Sequence, residues 1–244
     1  MQSILVLICL EALVVKHDTF AQHRPLFRGE LALVIAVIIN SFSVVLMLYS
    51  GAGISAISSV PYAFSKALPF FSLGTWTYLF QAALVFYLMV MRRHFVLSYL
   101  CSFIVGFAFS ELLDLNEYWI NVLPTTLGWC VLYFVISYVL ICIGIALSNR
   151  CGLPIIPTDL FPREFSDITG ISYPKVKISF DALCLCATAA LTFFFLGHIT
   201  GLGIGTVLAA LTMGKTIGVI GKWMDRHFVF ATAQPLHKAS HATK

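Results

Sequence analysis

The sequence contains very little charge. Asp, Glu, Lys and Arg make up 11% of its 244 residues, less than half of the roughly 25% found in soluble domains. This shortage excludes a soluble enzyme, a disordered chain and an ordinary nucleic-acid-binding domain, because each needs charged side chains for solvation or for its ligand. Hydrophobic residues make up 59%. The sequence therefore predicts an integral membrane protein that is surrounded by a lipid bilayer and has no nucleic-acid partner.

Catalytic motifs and a disulfide pattern are also missing. The sequence has no H-E-x-x-H, no G-x-S-x-G and no paired carboxylates beside a histidine within an apolar run, so we expect no enzyme activity. The cysteines number seven, and all but Cys151 lie in apolar runs, which is typical of small packing residues. We therefore expect no metal and no other cofactor.

Six apolar segments are long enough to cross a membrane as helices, since about 20 residues cover the hydrocarbon core. We place the spans at Leu31–Ser50, Phe70–Met91, Phe95–Ser110, Leu123–Ser148, Ile178–Leu196 and Leu202–Gly221. Residues 1–30 form an N-terminal extension. Its apolar stretch, residues 1–15, is short for a span and lacks signal-peptide features, so we expect an interfacial or poorly ordered segment, with an extra span as the alternative.

The basic residues predict the orientation of the spans. If the segment before the first span is cytoplasmic, thirteen of the fifteen Lys and Arg residues fall on the cytoplasmic side. Lys66 falls on the opposite side, and Lys215 lies within the sixth span. The positive-inside rule therefore places both termini in the cytoplasm.

The two halves of the span region repeat one order of elements. Residues 31–122 and 123–227 each contain a span, a long polar loop with proline, a span, a tight turn and a span. Because three is an odd number of spans, the second half enters from the opposite face, which predicts two inverted three-helix repeats. The alternative is a six-helix protein with accidental internal similarity. Residues 228–244 form a polar tail that we expect to be disordered.

The two long loops carry signals for short helices, each a small polar N-cap followed by proline. These signals are Ser59 with Pro61 in the first loop, and Thr158 or Asp159 with Pro162 in the second. If both helices are re-entrant, their N-termini meet near the membrane centre, where helix dipoles favour an anion or a carboxylate. Asp159 would offset one dipole and better suits a protonatable or cation-coupled site. Two amphipathic helices lying at the interface are the alternative.

The candidate site residues follow from these loops and from the few polar residues within the spans. Substrate-binding candidates are Ser58, Ser59, Thr158, Asp159 and Gln81. Asp181 and Lys215 are candidates for coupling or gating, since ionisable residues within a membrane are energetically unfavourable and usually functional. Their estimated depths, about 6 and 10 Å, allow an ion pair between them. Gln81 is the first-half counterpart of Asp181.

The sixth span is rich in glycine, from Gly201-x-Gly203-x-Gly205 to Gly214 and Gly218. The run is not a nucleotide-binding loop, because no strand precedes it. Small residues four apart allow helices to approach closely. We expect this span to pack tightly within the subunit or across a homodimer.

The second half also contains a distinctive set of motifs. They are Gly152-Leu153-Pro154, Pro157-x-Asp159-x-Phe161, Phe165-Ser166-x-x-Thr169-Gly170-x-Ser172, and Gly203-Ile204-Gly205-Thr206 with Gly214. In these motifs the chain resembles the YczE/YitT-like family of bacterial multi-pass membrane proteins, over residues 30–228. The resemblance implies a location in the bacterial cytoplasmic membrane and movement of small molecules across it.

These observations predict a secondary transporter for a small anionic or zwitterionic organic solute. The first alternative is a channel on the same inverted-repeat architecture. The second is a non-transporting membrane scaffold or accessory factor, which would have no polar cavity at its centre.

Overall fold

The structure is a computed structural model that describes residues 25–93 and 97–231. Within these residues, eight α-helices form almost the whole fold. They are α1 (Gly29–Tyr49), α2 (Ala56–Ala67), α3 (Leu73–Arg92), α4 (Leu97–Trp119), α5 (Leu127–Ser148), α6 (Pro157–Thr169), α7 (Tyr173–Leu196) and α8 (Ile204–His227). A 3-10 turn, Ile120–Val122, follows α4, and two short strands, β1 (Leu26–Arg28) and β2 (Val229–Ala231), lie at the two ends.

In the described part of the chain, six of the helices are long and apolar enough to cross a membrane. They are α1, α3, α4 with its 3-10 turn, α5, α7 and α8, at 20 to 25 residues each. These segments are helical because a backbone in lipid must form all its hydrogen bonds internally. Large apolar side chains, including Phe86, Ile104 and Phe194, cover the outside of the bundle. The prediction of an all-α bundle with six spans is confirmed.

The third span is longer than predicted. The sequence places it at Phe95–Ser110, but α4 continues to Trp119 and includes Glu111, Asp114 and Glu117, which lie outside the predicted spans. One of them, Asp114, accepts a hydrogen bond from the Gly74 backbone N–H (2.7 Å) and another from Ser72 Oγ (2.6 Å). An acidic residue here stabilises the N-terminus of α3, where unpaired N–H groups and the helix dipole favour a negative charge.

The helices follow the order long, short, long, long in each half of the chain. Their packing is also repeated. Helices α1 and α5 pack against each other, and each also packs against the last helix of its own half, α4 or α8. Each short helix packs against the third helix of both halves, so α2 and α6 both contact α3 and α7. The two short helices therefore lie between α3 and α7.

Both ends of the described chain lie at one face of the bundle. Strands β1 and β2 pair in parallel, with Leu26 beside Val229 and Arg28 beside Ala231. We call this the terminal face, and the other the far face. The strand at residues 229–231 lies in the segment that the sequence assigns to a disordered tail. The rest of that tail, and the first fifteen residues, lie outside the described residues.

Candidate functional site

The two short helices begin in the middle of the bundle. Near the start of α2, the Ser59 hydroxyl lies 2.7 Å from the hydroxyl of Thr188 in the interior of α7. At the start of α6, the Pro157 ring packs against Gly106 in the interior of α4, where an added Cβ would lie 3.1 Å from Pro157 Cδ. Both helices are therefore re-entrant, and the alternative of two interfacial helices does not hold.

Matching turns direct the chain back into the bundle. Gly51 follows α1 and Gly152 follows α5, and the two have φ values of +72° and +69°. These glycines are 101 residues apart, and left-handed backbone of this kind favours glycine. Ile54 and Ile155, at the same spacing, are fully buried. The turn reverses the chain, and the buried isoleucine holds the segment that leads into each short helix.

A small cavity lies between the N-termini of α2 and α6. Its volume is about 40 Å³, which is room for roughly one or two water molecules. Five pairs of lining residues come from the two halves of the chain, and the members of each pair are 101 positions apart. The pairs are Asn40 with Ile141, Val44 with Ile145, Ser55 with Ile156, Ile57 with Thr158, and Ser58 with Asp159.

Two buried polar side chains of this cavity form no hydrogen bond within the described part of the chain, although the charges of Lys177 and Arg163 lie near one of them, Asp159. Asn40 is buried, and nothing in the described part of the chain donates a hydrogen bond to its Oδ1 atom. Asp159 is buried too, and its carboxylate forms no hydrogen bond with residues 25–93 or 97–231. A buried polar group without a partner is rare and needs a physical explanation. A polar ligand or bound water in the cavity would supply the missing partners.

The two helix N-termini differ in the hydrogen-bond donors that they offer. In α2 the first helical bond is donated by Ser59 N to Ser55 O, so the N–H groups of residues 56–58 precede the helical ladder. The Ser55 side chain does not cap them. In α6, Pro157 has no N–H, and the Asp159 N–H already bonds to Ile156 O. The α2 end is therefore richer in free donors, and the α6 end carries a carboxylate.

The prolines lie deeper in the short helices than predicted. The sequence suggests Ser59 and Thr158 or Asp159 as N-caps, but α2 begins at Ala56 and α6 at Pro157. Pro61 and Pro162 consequently lie inside the helices. A proline there has no N–H to donate to the carbonyl four residues earlier. In both helices that carbonyl belongs to a residue that lines the cavity, Ile57 in α2 and Thr158 in α6.

A buried ion pair lies beside the cavity. Lys177 lines the cavity, and its Nζ atom donates to both carboxylate oxygens of Asp181, at 2.6 and 2.7 Å. The predicted pair of Asp181 with Lys215 is therefore wrong, since Lys215 is exposed on α8. The physical reason is the start of α7 at Tyr173, five residues before the predicted span. The added turn brings Lys177 into the helix, one turn from Asp181.

The charges around the cavity nearly cancel. Lys177 and Asp181 neutralise each other, which leaves the negative charge of Asp159. The two helix N-termini together supply roughly one positive charge, at about half a charge each. The site therefore carries separated positive and negative groups with little net charge.

Ser59 and Gln81 do not line the cavity, although the sequence analysis proposes both as substrate-binding residues. Ser59 bonds instead to Thr188. Gln81 is fully buried next to Gly106, and neither of its amide atoms has a partner among the described residues. Ser58, Thr158 and Asp159 do line the cavity.

Sequence reasoning missed Asn40 and Lys177. Asn40 is the only amide in α1 and lies beside Ser41 and Ser43 in the middle of this apolar helix, which is a usable signal because polar residues inside a span usually have a specific role. Lys177 is four residues before Asp181, the spacing at which helical side chains meet. That spacing would have revealed the pair if the span had been started one turn earlier.

A cluster of polar side chains outside the central cavity holds α6 near the terminal face. Glu164 is buried and accepts hydrogen bonds from Arg92 Nη2 (2.6 Å) and from the Tyr99 hydroxyl (2.5 Å). The two donors belong to α3 and α4. The carboxylate therefore connects the re-entrant helix to the α3–α4 hairpin.

Six apolar spans with two re-entrant helices define a multi-span membrane protein with a polar centre. The chain belongs to DUF6198, a family of unknown function, whose model matches residues 27–222. That range includes both halves of the bundle, both short helices and every residue of the central cavity. Comparison with curated proteins and with solved structures finds no match in either.

Proposed function

We propose that the protein is a secondary transporter for a small zwitterionic solute, and that the solute binds between the N-termini of α2 and α6. One observation carries the proposal: two re-entrant helices begin at one cavity in the middle of the bundle, where Asn40 Oδ1 has no hydrogen-bond donor among the described residues and the Asp159 carboxylate is buried. Polar groups at this depth are characteristic of transport sites.

The difference between the two helix ends supports a zwitterion. The N–H groups at the start of α2, with the hydroxyl of Ser58, suit a carboxylate. The Ser55 hydroxyl donates to Ser58 Oγ (2.9 Å) and leaves the Ser58 proton available for the solute. Asp159 at the start of α6 suits an ammonium group. A solute with both groups would leave the charge balance of the site unchanged. A purely anionic solute would have to bind close to Asp159, which disfavours it.

The size of the cavity supports a carrier over an open pore. At about 40 Å³ it is smaller than a typical ligand site of at least about 300 Å³. In our proposal this is a closed state, and α2 and α6 move apart to admit the solute. The repeated packing of the two halves supports an inverted repeat, in which each short helix gates one face.

The remaining parts of the proposal concern location and partners. The basic residues of the terminal face support a cytoplasmic location for both termini. The resemblance of the second-half motifs to the YczE/YitT-like family supports the bacterial cytoplasmic membrane. Transport through this site needs no cofactor and no catalytic residue, so we propose that the protein is not an enzyme. A homodimer through α8 stays a prediction.

Counterflow in proteoliposomes tests the function directly. The probes are free alanine, propionate and ethylamine, which are a zwitterion and its two singly charged analogues. We expect saturable uptake of alanine that is accelerated by alanine loaded inside the vesicles. Uptake without acceleration or saturation would indicate a channel, and no uptake of any probe would favour the scaffold.

Asp159→Asn tests the role of the carboxylate. We expect this variant to lose alanine uptake at least tenfold and to bind propionate better than the wild type does, because the repulsion of the carboxylate is removed. Asp167→Asn is the matched control, since Asp167 lies on the same helix and is exposed. Equal loss in both variants, or no loss in either, would contradict the proposed site.

A further inference from the structure

A large apolar groove lies on the other side of α6 from the central cavity. Its volume is about 620 Å³, and it is bounded by α3, α6 and α7, with Val60 of α2. Phe161 of α6 lies at its centre, with ring centroids 5.8 Å from Tyr87 of α3 and 4.6 Å from Phe180 of α7. Phe161 and Asp159 are two residues apart in α6, so they point to nearly opposite sides of the helix. The groove is therefore a separate site from the cavity.

The groove has the length of one bilayer leaflet. Along α7 its lining extends from Lys175, in the first turn, to Ala187, a distance of about 18 Å at about 1.5 Å per residue. Half of a hydrocarbon core is about 15 Å thick. One end of the groove is thus at the terminal face, and the other is near the middle of the bundle.

The chemistry of the groove changes along its length. Its deep part is formed by apolar side chains such as Val60, Phe80 and Leu183. Lys175 is exposed at the terminal-face end. A long apolar trough with a cation at the level of the headgroups complements an anionic amphiphile that has an extended chain.

We propose that this groove binds one acyl chain of an anionic phospholipid from the leaflet at the terminal face, with the lipid phosphate beside Lys175. The lipid contacts Phe161 and Phe165, which lie in the re-entrant helix. It therefore supports α6 from the side opposite to the transport site. A zwitterionic solute of the kind proposed above does not fit these apolar walls, so the two sites bind different ligands.

Native mass spectrometry of the full-length protein tests the proposal. The protein is purified in mild detergent and offered equal amounts of phosphatidylglycerol and phosphatidylethanolamine. We expect one phosphatidylglycerol to stay bound. Ala187→Trp and Ala83→Trp fill the groove from opposite walls, and each should reduce the bound fraction at least fivefold. Ala190→Trp is the matched control on α7, because Ala190 is exposed and does not line the groove.

The lysine is tested by a charge reversal. Lys175→Glu should remove the preference for phosphatidylglycerol over phosphatidylethanolamine, whereas Lys222→Glu, at the same face on α8, should not. The proposal is overturned if the wild type binds no lipid, if both groove-filling variants bind it as well as the control does, or if Lys175→Glu keeps the preference. None of these outcomes depends on solute transport, so the lipid site and the transport site can fail independently.

Discussion

At the scale of single residues, the main electrostatic feature is a charge pair held within one helix. Lys177 and Asp181 are both buried, and their side chains meet one helical turn apart. A buried ion loses its hydration and depends on its partner for compensation. Because both partners belong to α7, the pair can stay intact while neighbouring helices move. The pair would therefore survive the opening and closing that the proposed transport requires.

Removal of one partner should therefore strongly destabilise the protein. We expect Lys177→Met to lower the free energy of unfolding by about 3–5 kcal/mol, because Asp181 is left buried without its cation. The double variant Lys177→Met/Asp181→Leu should recover most of the loss, since an apolar pair can replace a buried ion pair. Unfolding in a denaturing detergent titration provides the measurement.

Lys222→Met is the control for the removal of a lysine, because Lys222 is exposed on α8. It should change stability by less than about 0.5 kcal/mol. A loss for Lys177→Met that is no larger than this would contradict the importance of the pair. So would a double variant that is less stable than the single one.

At the scale of elements, the glycine-rich segment before α8 interlocks with the turn that leads into α2. The Gly205 N–H donates to Ala52 O (3.0 Å), and the Ile54 N–H donates to Gly201 O (3.2 Å). At Gly203, an added Cβ would overlap with the backbone carbonyl of Ala52. The two segments therefore touch backbone to backbone. This contact fixes the point from which α2 enters the bundle.

A methyl group at Gly203 should separate these segments. We expect Gly203→Ala to lower the free energy of unfolding by about 1–3 kcal/mol, because the clash is with rigid backbone and cannot be relieved by a side-chain rotation. Gly218→Ala is the matched control, since an added Cβ there has nothing within 4 Å. That variant should be as stable as the wild type or up to about 1 kcal/mol more stable, because alanine favours a helix over glycine.

Amide hydrogen exchange adds a second readout for Gly203→Ala. Protection should fall in α2 and change less in α6, because a different turn, at Gly152, leads into α6. Unchanged protection of α2 would show that the contact between the glycine-rich segment and the turn does not stabilise α2. Equal destabilisation by both glycine substitutions would indicate a general effect of α8 rather than a local contact.

The short helices also show how much of the candidate site could be predicted from the sequence. Polar loops with a serine or aspartate before a proline were enough to predict two short helices, with re-entrant and interfacial placements both open, and to propose Ser58, Thr158 and Asp159 as site residues. The exact helix starts could not be predicted, because a proline is tolerated one turn further inside when the carbonyl it leaves unpaired lies at a polar cavity. Asn40 was missed because its role depends on which helix face meets the short helices.

The sequence also could not predict which side chains pair with each other in the folded protein. The sequence identified Asp181 as an unusual charge but could not supply its partner, since that choice depended on where α7 begins. The partners of Glu164 could not be predicted from the sequence either. Arg92 and Tyr99 are far from Glu164 in the chain and contact it only in the folded bundle. Periodicity and composition determine which segments cross the membrane, whereas such long-range pairs depend on the packing of the re-entrant helices.

At the scale of the whole molecule, the two halves are alike in packing but unlike in their charges. The re-entrant helix near the terminal face, α6, carries Asp159, Arg163, Glu164 and Asp167, whereas α2 carries Lys66 as its only ionisable group besides Tyr62. Residues from both halves therefore line the cavity, and differences between positions 101 residues apart make its two ends unlike. The zwitterion proposal rests on this asymmetry, since a site with two identical ends would have no preferred direction for the solute.

The same asymmetry predicts the orientation in the membrane. Arg92, Arg150, Arg226 and their neighbours lie at the terminal face, and Lys66 is the basic residue that α2 places near the far face. From the positive-inside rule we expect the terminal face to be cytoplasmic. A green fluorescent protein fused after Lys244 should therefore fluoresce, and alkaline phosphatase fused at the same place should be inactive. The same two reporters inserted between Phe70 and Phe71, which are exposed at the far face, should give the opposite result. Active phosphatase at the C-terminus would reverse the orientation and with it the leaflet assigned to the lipid groove.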